Sequence, residues 1–153
     1  NPMATLYATA VAASTPANLN PTVLQTYTLD AGLLSSDGDA VIVRAWGSFA
    51  ANANVKTIRI RLGAAATIIA YNDITPAPNG SSWMIEAKIM YRNANAQTCI
   101  AQVTVGAVVQ SVFSTATANV AANAMQIGIQ GENGTASAAD VVCDALEVEN
   151  APA

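Results

Sequence analysis

The chain contains no histidine and only two cysteines, and charged residues make up just 10% of it, against ~25% in an ordinary soluble domain. Without histidine the commonest general base and the commonest zinc or copper ligand are gone. Ser-His-Asp and Cys-His catalysis go with them. Cys99 and Cys143 are too few and too widely spaced for a zinc site and form no C-x-x-C redox pair. They read either as buried thiols or, if their strands are neighbours, as one disulfide. No apolar run approaches the ~18 residues a membrane helix needs, and no basic segment precedes an apolar one at the start. The expectation is neither a membrane span nor a signal peptide. A formal net charge of −4 argues against nucleic acid, whose phosphates require a basic surface.

What is present is 52% apolar, much of it alanine, in 153 residues, a length that fits one domain with a single core. A surface so poor in charge suggests contact with other protein. The charges are also segregated. The basic residues Arg44, Lys56, Arg59, Arg61, Lys88 and Arg92 precede a C-terminal stretch holding Glu132, Asp140, Asp144, Glu147 and Glu149 with no cation. Arg44, Arg59 and Arg61 are therefore candidates to meet Glu147 and Glu149, either within the fold or across a seam between copies, where such patterning would fix orientation.

Residues 1–22 are uncharged and rich in Ala, Thr, Asn and Pro, with one short apolar run from Leu6 through Tyr7 to Val11. The prolines prevent a long helix, and the segment is too apolar for a solvated tail. It reads as an extended N-terminal arm, with Leu6, Tyr7 and Val11 as candidate contact residues.

From residue 23 to 153 the apolar period is two, with turn residues between runs, the pattern of a sandwich or barrel. Candidate strands are 23–29, 41–50, 56–63, 67–71, 82–92, 97–105, 108–115, 125–131 and 141–149. Ile58, Ile60 and Leu62 share one face, and Thr57, Arg59 and Arg61 the other; Trp83, Ile85, Ala87, Ile89 and Tyr91 likewise oppose Met84, Glu86, Lys88, Met90 and Arg92. Turns are expected at Ser36-Asp37-Gly38-Asp39, Pro78-Asn79-Gly80, Asn93-Ala94-Asn95, Gly106-Ala107 and Asn133-Gly134. Residues 141–143 are apolar on both faces, as in a central strand or one buried between subunits.

Other signals for chemistry are weak. Asp30, Asp37 and Asp39 lack the spacing and terminal Glu of a calcium loop and read as a turn. Glu86 and the C-terminal carboxylates give no sign of a glycosidase pair across one cleft. Trp46, Trp83, Tyr71 and Tyr91 are expected in the core, with sugar stacking as the alternative. The sequons at Asn79 and Asn133 are better read as turns. No metal or cofactor is expected, and no enzymatic activity.

Tyr27 to Leu29, Leu34 to Asp39, Arg44 to Asn52, Lys56 to Arg61 and Gly80 to Trp83 together resemble a recurrent pattern of tailed-bacteriophage virion proteins: Tyr-Thr-Leu, Leu-Ser-x-Asp-Gly-Asp, Arg-Ala-Trp-Gly-x-Phe-Ala-x-Asn, a Lys-Thr strand with alternating Arg, and Gly-Ser-Trp before a long strand. The likeness covers about half the chain. It implies an all-β fold, a single jelly-roll-like antiparallel β-sandwich, used as a capsid decoration (cement) protein on the outer capsid surface of the virion. Its partners would be the phage major capsid protein and itself, as a homotrimer. The alternative is a tail or head-fibre jelly roll binding host-surface glycans.

Overall fold

A computed structural model describes residues 3–63, 67–74, 80–94, 96–116, 120 and 122–151, with only the course of the backbone for 67–74, 112 and 114–116. The chain is all-β. Its strands are β1 (Ala4–Thr9), β2 (Ala13–Ser14), β3 (Thr22–Leu29), β4 (Ala40–Phe49), β5 (Lys56–Leu62), β6 (Thr67–Ile74), β7 (Ser82–Asn93), β8 (Ala96–Val105), β9 (Val108–Ala116), β10 (Met125–Asn133) and β11 (Val141–Ala151). Every run from residue 23 onward that alternates in the sequence is a strand, because each has one apolar face to bury and turn residues at its ends.

The strands form two antiparallel sheets. The larger, seven-stranded sheet runs β1-β11-β4-β7-β8-β9, with β2 also paired to β11; the smaller runs β3-β10-β5-β6. The pairs β1 with β11, β3 with β10, β4 with β7 and β5 with β6 are nested one inside another. This is a long hairpin rolled over on itself, the arrangement of a jelly roll. Strands β8 and β9 are an added hairpin that widens the larger sheet. Residues 4–14, within the segment read as an arm, run along β11, and β1 supplies the outermost strand of the nest.

The inner faces of the two sheets supply the core, including Val41, Val43, Ile58, Ile60, Ile85, Ile89, Ile127, Ile129, Leu146 and Val148. Trp83 is also buried there, as its parity predicts, beside Phe49 at a ring separation of 6.4 Å. Tyr91 is half-buried against the same core. Tyr7 from β1 stacks on Tyr27 from β3 at 5.4 Å, joining the two sheets along one edge. Thr15 then pins the following turn: its backbone N–H donates to Val141 O at 3.0 Å, and its carbonyl accepts from Ala139 N at 2.7 Å.

Cys99 and Cys143 both lie on inner faces, buried, and are not bridged. Their strands β8 and β11 are separated by β4 and β7. Three strand spacings, about 14 Å, exceed the Cα separation a disulfide spans. Burial pushes the Cys143 thiol up to about 12.

Candidate functional site

The outer face of the larger sheet is built around Arg44. Register places Glu147 of β11 and Glu86 of β7 directly opposite it, one on each side. The guanidinium reaches Glu86 at 2.9 Å, Glu147 at 3.2 Å and Glu149 at 3.3 Å. The hydrogen bond to Glu86 and the charge of Glu149 raise the Arg44 pKa above its ordinary value, against the opposing pull of burial. The same row continues through Gln102 opposite Glu86 and Ser111 opposite Gln102.

Apolar rows flank this polar one. On one side Ile42, Ile100 and Phe113 line up with Lys88 between them; on the other, Trp46, Met84 and Val109 line up with Thr104. Trp46 is 43% exposed, Ile100 51% and Phe113 70%. Between the Ile42 row and the Arg44 row lies a shallow depression of about 310 Å³ lined by Ile42, Arg44, Glu86, Lys88, Ile100 and Gln102. It opens onto a broad sheet face whose side chains can adhere, hydrogen-bond and exclude water.

Of the sequence candidates, Arg44, Glu147 and Glu149 come together, and they do so within one chain. Arg59 and Arg61 do not reach the C-terminal strand within the chain, because β5 belongs to the other sheet. Arg59 pairs instead with Glu132 of β10 at 2.6 Å, and among the described residues Arg61 has no ion-pair partner. Leu6 and Tyr7 pack against the core, whereas Val11 is 74% exposed. Trp46, expected in the core, is on the outer face. Parity carried that signal: Trp46 shares the face of Ile42 and Arg44, not that of Val43 and Ala45. The side chain of Tyr71 and the whole of Asn79 lie outside the described residues.

A second polar cluster went unread in the sequence. Lys56 occupies the core-facing parity of β5, ahead of Ile58, and is fully buried. Its ammonium donates to Asn52 Oδ1 at 2.8 Å, Asn54 O at 2.9 Å and Asn52 O at 3.2 Å. Asp140, also fully buried, accepts from Asn52 Nδ2 at 2.8 Å and Asn54 Nδ2 at 2.9 Å. Burial lowers the Lys56 pKa and Asp140 partly restores it. The Ala-Asn-Ala-Asn loop is thus wrapped around a buried cation and tied to the start of β11. Asn133 is equally committed: its amide donates to Pro16 O at 2.8 Å, Ser137 O at 2.8 Å and Asn18 O at 3.2 Å. It is buried and cannot carry a glycan in the folded chain.

No protein-family model and no curated protein matches the chain. Among solved structures it is similar to the CBM2 module of the evolved Dit of Lactobacillus casei BL23 phage J-1, with 11% identity over 81% of this chain and 67% of that one and a TM-score of 0.41.

Proposed function

We propose that this chain is a tailed-bacteriophage virion structural protein, a capsid decoration protein that binds the outside of the shell and stabilises it through protein contacts alone. The supporting observation is the outer face of the larger sheet, where exposed Trp46, Met84, Ile100 and Phe113 flank a row in which Arg44 pairs with Glu86, Glu147 and Glu149. Such a face suits a flat, large-area contact with protein. The motif resemblance points the same way. A homotrimer over a local symmetry axis of the shell is the assembly this reading carries, closed by identical side contacts.

A second reading is a fibre or tail jelly roll that recognises a host-surface glycan. It draws on Trp46, an exposed ring one row away from the hydrogen-bonding groups of Arg44, Glu86 and Gln102. Particle imaging separates the two. Capsid decoration requires copies on the shell in numbers comparable with the major capsid protein; a few copies at the tail would overturn it in favour of the second reading. In parallel, the purified protein should bind undecorated capsids, and Met84→Glu should abolish that binding while leaving the melting temperature unchanged.

A further inference from the structure

Strand β9 ends the larger sheet, and among the described residues no further strand pairs with its outer edge. Its sequence from Val108 to Ala116 holds no charge and no proline, and its pairing with β8 runs without a bulge from Val108 to Ala116. Val108 is 67% exposed and Val109 59%, beside Phe113. Strand β6 of the other sheet packs against β8 and β9 but is not hydrogen-bonded to them. An edge of this kind is a template for another strand.

The strand that fits is β9 itself. The two-residue turn Gly106-Ala107, with Gly106 at φ 56°, makes Val105 and Val108 a hydrogen-bonded pair. By alternation, Val109, Ser111 and Phe113 direct their N–H and C=O groups away from β8. An antiparallel partner related by a two-fold axis through Ser111 sets Ser111 against its own copy and Val109 against Phe113. Every residue so paired has outward-facing groups, giving roughly six inter-strand hydrogen bonds. On the outer face the order apolar, small, apolar is symmetric about Ser111, so each Phe113 meets a Val109 at one end of the seam. The strand is uncharged, so neither repulsion nor a need for a charged partner opposes self-pairing.

We infer that β9 pairs antiparallel with β9 of a second copy of this chain, centred on Ser111, joining two larger sheets into one. This is a two-fold contact, separate from the trimer seam of the capsid reading and independent of that reading. On a decorated shell it would tie one unit to the next.

Cysteine cross-linking in the full chain tests it, since paired residues of a hydrogen-bonded antiparallel site lie about 5.5 Å apart at Cα, within disulfide range. Under mild oxidation Ser111→Cys should become a covalent dimer at least tenfold faster than a control, Thr26→Cys, on the exposed face of β3. A mixture of Val109→Cys and Phe113→Cys proteins should cross-link as the heterodimer, whereas Val109→Cys alone should not. Ser111→Pro removes an outward N–H that β8 does not use, and should fold normally but shift light scattering to a lower mass. The inference is overturned if Ser111→Cys reacts no faster than the control, if Val109→Cys alone cross-links as well as the mixture, or if Ser111→Pro retains the parent mass.

Discussion

Trp83 lies across Gly47. The indole Nε1 donates to Val142 O at 3.1 Å, over the place where a side chain at residue 47 would stand. A Cβ on Gly47 would come within 1.8 Å of Val142 O and 2.8 Å of the Trp83 ring. The close approach of β4 to β11, which carries a register shift between Cys143 and Ala145, is therefore available only to glycine. Gly47→Ala is expected to cost about 3 kcal/mol, the upper end of ordinary overpacking, because backbone rather than a mobile side chain must yield. Gly128→Ala, whose Cβ would meet only Val23 Cγ1 at 3.8 Å, should cost under ~1 kcal/mol. Urea unfolding followed by tryptophan fluorescence measures both.

Lys56 and Asp140 hold the 50–54 loop together from inside. Lys56→Met strands the Asn52 and Asn54 carbonyl oxygens, and Asp140→Ala strands two amides and leaves a buried cation without a nearby anion. Each is expected to cost about 3 kcal/mol. The double variant should cost less than the sum, since it leaves neither a buried cation without its anion nor a buried anion without its cation. A double-mutant cycle of unfolding free energies checks this.

Cys143 shapes the alkaline limit of stability. Its thiol is held neutral up to about 12 in the fold, against an ordinary value of 9.0. Its contribution is complete below 9.0 and is lost as pH rises towards about 12, because the unfolded chain gives up the proton first. Cys143→Ala will be less stable throughout through the cavity it leaves, but its stability should fall less steeply than that of the parent across this window. The same burial should keep Cys143 unreactive towards a maleimide at pH 8 until the protein unfolds.

Arg44 offsets three carboxylates on a solvent-facing surface. Arg44→Met is expected to cost about 1 kcal/mol or less at physiological salt, as half-exposed pairs do. The cost should grow as salt is lowered, since Glu86, Glu147 and Glu149 then repel one another unscreened. Thermal melts at two ionic strengths measure the difference.

Residues 4–14 cover the edge of β11 and bring Leu6 and Tyr7 onto the core. Deleting residues 1–14 removes two half-buried apolar side chains and the Tyr7 stack on Tyr27. A loss of roughly 2–4 kcal/mol is expected from the area alone. A lowered urea midpoint with soluble protein retained would match; an unchanged midpoint would show that the segment does not stabilise the sandwich.

Period-two alternation made the strands from β3 to β11 legible, and the parity of Ile58, Ile60, Leu62, Trp83 and Ile85 identified the core face. The same rule placed Trp46 outward and Lys56 inward, but residue type competes with parity in reading a sequence: tryptophan suggests core and lysine suggests solvent. In the fold parity prevails, because a strand cannot rotate one side chain to the other face without moving them all. Strands β1 and β2 were hidden because their residues are small and only weakly alternating, and their place depends on β11, more than a hundred residues away in the chain.

Composition and local period suffice for the all-β class, the strands from β3 to β11 and the lack of histidine-based chemistry. Which charges meet depends instead on strand order. Arg44 found Glu86 and Glu147 because β4 lies between β7 and β11, while Arg59, with the same charge and parity logic, was carried into the other sheet to Glu132. Strand order also left β9 as an uncharged edge, a property that no local pattern encodes.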